Sequence, residues 1–140
     1  MKKAGLVLGL VALAGCNTTV QPPAQASPPP SNYRATVSAA VANAFFDPYS
    51  IRDAEISQPV YKTGIFDGTN LVPYQGWAVC VRANAKNRFG AYSGRNFTLF
   101  LFNSDAVRMT LAGREVQGQI DNHCANVQMQ PFPEIEQQAS

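Results

Sequence analysis

The first regular pattern in the chain is a stripe of apolar residues at helical spacing. It consists of Val37, Ala40, Val41, Ala44 and Phe45. Residues three and four apart share one face of a helix, so the stripe predicts a helix that packs on a core. Ser31 or Asn32 suits its N-cap, and Asp47-Pro48 ends it because α geometry is disfavoured before a proline.

Farther along, apolar and polar residues alternate with the period of two that is typical of strands. Residues 77–83 place Trp77, Val79, Val81 and Ala83 on one face, and Ala78, Cys80 and Arg82 on the other. Residues 96–103 place Phe97, Leu99 and Leu101 opposite Thr98, Phe100 and Phe102. This second segment predicts a central strand that is covered on both faces.

Shorter segments complete the predicted sheet. Residues 107–111 should pair back on residues 96–103, because Asn103-Ser104-Asp105 is a turn sequence. Residues 51–56 and 115–120 are weaker strand candidates.

The fold class predicted from these elements is α+β. One N-terminal helix packs on a small antiparallel sheet of three to five strands, in a single domain over residues 33–133. The chain is expected to be irregular after Cys124, and residues 134–140 are expected to form a polar tail.

The start of the chain has a different character. Lys2 and Lys3 precede an uncharged apolar run over residues 4–14, which is too short to cross a bilayer as a helix. A basic start, a short apolar run and small residues are typical of a secretory signal peptide. Leu13-Ala14-Gly15-Cys16 resembles, position for position, the lipobox of bacterial lipoproteins.

The lipobox implies that residues 1–15 are cleaved and that Cys16 becomes lipidated. Several acyl chains, such as palmitate, anchor a protein stably, whereas one binds reversibly. Asn17, in place of the Asp that is associated with the inner membrane, favours the outer membrane. The expected location is the cell envelope of a Gram-negative bacterium, facing the periplasm. The alternative is an ordinary secreted protein with a Cys near its cleavage site.

Between Cys16 and the domain lies a proline-rich segment without charge, residues 16–32. Such a composition favours extended, disordered chain, so a spacer is the first interpretation and a ligand for a proline-binding module the second. Without Lys2 and Lys3, the 11 basic residues fall to 9, which equals the 9 acidic residues. This balance disfavours a nucleic-acid partner.

Two cysteines remain once Cys16 is assigned to the lipid. Outside the cytosol thiols usually pair, so Cys80 and Cys124 are predicted to form a disulfide that stabilises the domain. A metal site with His123 is the alternative, but the sequence lacks the ligand spacing that such a site needs. No metal and no cofactor is expected.

Residues 80–95 hold the densest cluster of chemistry. The candidate binding loop consists of Arg82, Lys86, Arg88, Phe89, Tyr92 and Arg95. We expect a long hairpin connection between strands ending near Ala83 and starting near Asn96. Its cations suit anionic envelope polymers, lipid head groups or an acidic protein. The alternative is a set of solvated side chains around a glycine-rich turn.

Two segments together resemble a small uncharacterised exported domain of proteobacteria. They are Phe46-Asp47-Pro48-Tyr49-Ser50 and Cys80-x3-Asn84-Ala85-Lys86-Asn87-x-Phe89-Gly90-x-Tyr92-x-Gly94. The resemblance covers roughly residues 33–111, and it departs at Ala91, where a second glycine is expected. It implies the fold and the exported location, and it supplies no catalytic residues.

The sequence predicts no enzyme. His123 is the only imidazole, and no Gly-x-Ser-x-Gly motif is present. Asp53 and Glu55 face the same side of a predicted strand, which is usual for an exposed face, and Asp47 suits a turn. A pocket that gathered His123 with Asp53 or Glu55 would favour catalysis.

The expected function is that of a non-catalytic binding or scaffolding domain, anchored to the membrane by lipid. Its expected partners, besides the membrane, are peptidoglycan or envelope proteins. Two alternatives remain open: a structural subunit of an envelope-spanning assembly, recognised through a sheet edge, and an inhibitor of cell-wall hydrolases.

Overall fold

The computed structural model describes residues 20–66 and 73–136 of the 140-residue chain. The predicted signal peptide, residues 1–15, and the predicted lipidation site, Cys16, lie outside the described residues. None of the helices in the described ranges is long and apolar enough to cross a membrane.

The fold is α+β, with two α-helices and an antiparallel sheet of six strands in the described residues. The elements, in chain order, are α1 Tyr33–Ala44, β1 Arg52–Ser57, β2 Val60–Ile65, β3 Tyr74–Lys86, β4 Tyr92–Asn103, β5 Ala106–Leu111, α2 Gln117–Cys124 and β6 Met129–Pro131. Short 3-10 turns lie at Pro48–Ser50 and Pro133–Ile135. The sheet has more strands than the three to five predicted, and the chain has a second helix.

Strand β3 lies at the centre of the sheet, whose order is β5-β4-β3-β1-β6. Along one edge β3 pairs with β4, and along the other it pairs first with β2 and then with β1. Pro59 lies between β1 and β2. Proline has no backbone N–H to donate, and between two strands no ladder hydrogen bond is lost. One long strand therefore aligns three others.

The sheet is covered on both faces. The α1 face buries Val79, Val81, Phe100 and Phe102 together with Val37 and Val41 of the helix. The α2 face buries Cys80, Leu99 and Leu101 together with Ile120 and Cys124. The alternation predicted for residues 77–83 and 96–103 is confirmed, because adjacent residues enter opposite clusters.

The start of α1 differs from the predicted capping. Asn32 occupies the N-cap position, but its side chain makes no capping hydrogen bond. Its carbonyl oxygen instead accepts from the N–H and the hydroxyl of Thr36, both at 3.1 Å. Ser31 is used elsewhere, since its N–H donates to the Asp105 carboxylate at 2.9 Å.

The prediction of a strand over residues 115–120 is wrong, because α2 occupies this region. Val116, Ile120 and Cys124 are spaced by four and pack on the same cluster, which is the period of a helix face. Polar residues and Gly118 lie between these apolar residues, so the short segment has an alternation that resembles that of a strand.

The chain after Cys124 is more regular than predicted. Strand β6 pairs with β1, and the Phe132 N–H donates to the Ala54 carbonyl at 2.8 Å. Phe132 and Ile135 are fully buried, so the packed unit continues beyond residue 133. Isolated apolar residues between polar ones carry no periodicity, which is why the sequence did not indicate them.

The end of the proline-rich segment lies against the domain. The Trp77 indole N–H donates to the Ser27 carbonyl at 2.7 Å, and Pro30 is buried. Together with the contact of Ser31 to Asp105, these interactions attach the segment. The last residues of the spacer predicted over residues 16–32 therefore belong to the folded unit.

The predicted disulfide between Cys80 and Cys124 is confirmed. It joins the centre of β3 to the last residue of α2, and the two Cα atoms are 5.9 Å apart. Both cysteines are buried. The bond therefore fixes the second helix to the strand that aligns the sheet.

Replacing both cysteines with alanine should lower the free energy of unfolding by about 4 kcal/mol, because the disulfide closes a loop of 44 residues in the unfolded chain. Urea denaturation of the oxidised protein and of the C80A/C124A variant measures the difference. Reduced wild type is the control, and it should unfold near the variant. A loss below about 1 kcal/mol would contradict a stabilising role.

Candidate functional site

The β3–β4 hairpin is longer, and its turn shorter, than predicted. Strand β3 continues to Lys86 and β4 begins at Tyr92, so only residues 87–91 connect them. Ala83 and Ala85 are buried on the α1 face, which extends the strand alternation beyond the predicted end. The prediction of a long connection was wrong because small and polar residues in a strand resemble a loop.

The candidate loop residues are therefore divided between strands and turn. Arg82 and Lys86 lie on β3, Tyr92 and Arg95 lie on β4, and Arg88 and Phe89 lie in the turn. The Phe89 side chain is 85% exposed. The structure brings all six to one end of the sheet, which we call the hairpin end (residues 82–95).

Asn87 organises the turn. Its side-chain oxygen accepts the N–H groups of Phe89 and Ala91, at 2.9 and 3.2 Å. Its carbonyl accepts the N–H of Gly90, which has a φ of +76° that glycine adopts without strain. The Asn and Gly of the sequence motif thus have a conformational role.

Ser50 connects the two segments of the sequence motif, residues 46–50 and residues 80–94. Its hydroxyl accepts the Lys86 N–H and donates to the Asp47 carbonyl, both at 2.8 Å. The Tyr92 hydroxyl donates to the Ser50 carbonyl at 3.0 Å. The turn Pro48–Ser50 is therefore bound to the hairpin on both strands, and these motif residues hold the hairpin end in place.

Glu55 of β1 neutralises part of the cationic cluster. Its carboxylate accepts two hydrogen bonds from Arg82, at 2.9 and 2.5 Å, and another from Arg95. Hydrogen bonding from Arg82 lowers the pKa of Glu55 below its ordinary value, and the charges of both arginines act in the same direction. This pairing forms because β1 lies beside β3 in the sheet. The sequence around the cations does not contain Glu55, so it did not indicate the pairing.

Tyr92 orders two further cations. The Arg52 guanidinium carbon lies 3.6 Å from the centre of its ring, and the Lys86 ammonium lies 5.7 Å from it. Such contacts stabilise a cation without neutralising it. Among the described residues, neither Lys86 nor Arg88 forms an ion pair.

An open groove of about 450 Å³ runs beside the hairpin end. Its apolar lining includes Phe45, Ala83 and Phe97, and its cationic lining consists of Lys86 and Arg114. Phe46 also lines the groove, and its side chain is 73% exposed, which is unusual for a large apolar residue.

The sequence did not indicate the groove, because its parts come from four separated elements. The end of α1 supplies residues 44–46, β3 and β4 supply the base, and residues 112–117 supply the far wall. Arg114 follows a strand with no motif around it, and Phe46, although it begins a motif segment, gave no sign of the groove. Only the packing of α1 and α2 on opposite faces brings these residues together.

The side chains weighed for catalysis lie elsewhere. His123 is on α2, where burial and the neighbouring charge of Lys62 lower its pKa. Neither His123 nor Asp53 nor Glu55 lines the groove. Within residues 20–66 and 73–136, no group of three or more His, Cys, Asp or Glu side chains is placed to hold a metal ion.

No protein-family model matches the chain, and no curated protein or solved structure shows significant similarity to it.

Ser50→Ala should destabilise the domain by about 1–3 kcal/mol, because it leaves the partly buried Lys86 N–H without its acceptor. Tyr92→Phe, which removes a more exposed hydrogen bond, should cost about 0.5–1.5 kcal/mol. Urea denaturation compares the two with wild type. A larger loss for Tyr92→Phe would show that the Ser50 hydroxyl is not the main link.

Glu55→Gln should lower stability at neutral pH by about 1 kcal/mol, since it removes the negative charge between two arginines. The folded-state pKa is depressed, so the stabilisation is present above the unfolded pKa of about 4.3 and disappears as pH falls through the folded value. The stability difference between variant and wild type should therefore narrow below about pH 4.

Thermal unfolding from pH 3 to 7 measures this difference. Asp53→Asn is the matched control, because Asp53 is exposed and its φ of +53° is one that asparagine tolerates. Equal effects of the two substitutions at pH 7 would contradict a specific role for Glu55.

Proposed function

We propose that this chain is a lipid-anchored envelope protein whose non-catalytic domain binds an anionic component of the periplasm. The binding surface consists of the groove and the neighbouring hairpin end. The observation that carries the proposal is the exposed Phe46 beside Lys86 and Arg114, which have no ion-pair partner among the described residues.

The anchoring part of the proposal is supported by the sequence at the start of the chain. The basic residues, the short apolar run and Leu13-Ala14-Gly15-Cys16 together resemble a lipoprotein signal. The Cys80–Cys124 disulfide is consistent with an oxidising compartment outside the cytosol. The outer membrane remains the proposed site of attachment, because Asn17 follows Cys16.

The charge distribution determines which part of the predicted loop is proposed to bind. Arg82 and Arg95 are committed to Glu55, so they contribute less to an outside partner. Lys86 and Arg114 line the groove itself, and Arg88 lies in the turn beyond it. A mixed apolar and cationic surface of this kind suits a partner with both apolar and acidic groups.

The chemistry of the groove supports binding rather than catalysis. Its polar lining consists of amides, hydroxyls and two cations, from Lys86, Asn87, Ser93, Asn96, Thr98, Arg114 and Gln117. Imidazoles and carboxylates are the commonest acid–base groups of enzymes. The described lining holds neither, so the proposal assigns its amides, hydroxyls and cations to recognition.

Reversing the groove charges should weaken binding to the envelope component at least tenfold. The double variant K86E/R114E and wild type, each purified as the full oxidised chain in detergent, are mixed with cell-wall sacculi and with solubilised envelope proteins. Retention should fall in the variant and fall with added salt, because exposed charges are screened. The R108E variant is the control, since Arg108 is exposed on β5 and does not line the groove.

The outcomes separate the candidate partners. Salt-sensitive retention by sacculi identifies a cell-wall binder, and retention of a discrete protein identifies a subunit of an envelope assembly. Equal retention of K86E/R114E and wild type, or retention of neither, would overturn the proposed surface.

A further inference from the structure

The groove runs along an unpaired stretch of β4. On one side β4 pairs with β3 from Tyr92 to Leu101. On the other side β5 pairs with it only from Leu99 onward, and no strand in the described part of the chain continues that pairing toward Tyr92. Residues 93–98 therefore form an open sheet edge at the base of the groove.

Backbone groups of alternate residues along this edge point away from β3. The Phe97 carbonyl accepts a hydrogen bond from the Gln117 side-chain amide at 3.2 Å, so it points away from β3, toward the unpaired edge of β4. The Gly94 N–H points the other way, to Asn84 of β3. Since alternate residues of a strand present their N–H and C=O to the same side, Arg95 presents its backbone groups to the same open edge as Phe97 does.

The groove has two walls beside the open edge of β4. Residues 44–46 at the end of α1 form one wall, and residues 112–117 form the other. Five or six residues of extended chain measure about 16–20 Å, the length of a typical short strand. An added strand of this length would pair with the part of β4 that β5 leaves unpaired.

The side chains around the groove favour an acidic occupant. Lys86 and Arg114 line it, Arg88 lies nearby, and Glu55 is already bound to Arg82 and Arg95. A second copy of this chain would bring the same cations against each other, which opposes self-pairing. The exposed Phe46 offers an apolar contact to an added strand.

We propose that an extended, acidic segment of a partner protein binds here by adding a strand to β4 between Ser93 and Thr98. Main-chain hydrogen bonds to Arg95 and to the N–H of Phe97, whose carbonyl already accepts from Gln117, supply affinity, and contacts to Phe46, Lys86 and Arg114 supply selectivity. This inference rests on the proposed function and specifies its partner, since a glycan cannot provide the repeating N–H and C=O groups of a strand.

The test uses three synthetic peptides with identical side chains. All are ten-residue alternations of Val and Glu with blocked ends; one is unmethylated, and the other two carry methyl groups on the backbone nitrogens of either the odd or the even residues. N-methylation removes hydrogen-bond donors without changing charge or side chains. Binding to the full oxidised chain in detergent is followed by nuclear magnetic resonance of the backbone amides.

The unmethylated peptide should bind and slow the hydrogen exchange of the Arg95 and Phe97 amides. At least one methylation register should reduce the affinity tenfold or more. K86E/R114E should also reduce it tenfold or more, whereas R108E should not. Equal binding of the methylated and unmethylated peptides would overturn strand addition.

The two levels of the proposal fail differently. If no peptide binds while sacculi still retain wild type and lose K86E/R114E, the strand-addition inference is overturned and the anionic binding surface remains. If neither peptides nor sacculi nor envelope proteins bind in a way that depends on Lys86 and Arg114, both are overturned.

Discussion

The backbone pairing of β3 is the interaction on which the rest of the domain depends. Three strands take their register from it, and its side chains enter the clusters on both faces. The disulfide from Cys80 attaches α2 to the same strand. A single extended segment thus determines where both helices lie, and the groove exists only because α1 and the segment before α2 flank the same stretch of β4.

Local patterns predicted the elements that are long and strictly periodic. The alternation at Val79–Val81 and Leu99–Leu101 predicted burial on both faces of the sheet, because successive residues of a strand point to opposite faces. Strand β2 and strand β6 escaped prediction for a different reason. Gly64 and Pro131 interrupt their patterns, so the buried Ile65 and the partly buried Met129 stand without a visible alternation around them.

The candidate site shows the same division between local and distant causes. A cluster of cations with Phe89 and Tyr92 was visible along the chain, but its electrostatics depended on Glu55, which is 27 residues from Arg82 and 40 from Arg95. Likewise, Arg114 belongs to the groove only through the path of the chain after β5. Residue identity indicates which groups are available, whereas packing decides which of them remain free to bind.

The attachment of the proline-rich segment has a geometric consequence for a chain tethered at Cys16. Ser27 and Ser31 contact Trp77 and Asp105, which lie where β4 ends, whereas the groove lies where β4 begins. Thr98, the groove residue of β4 nearest to that end, lies five residues before Asn103, so about 16 Å of strand at the usual rise per residue separates the tether from the groove. If Cys16 carries the proposed anchor, the tether joins the domain at the opposite end of β4 from the groove, and so leaves the groove accessible.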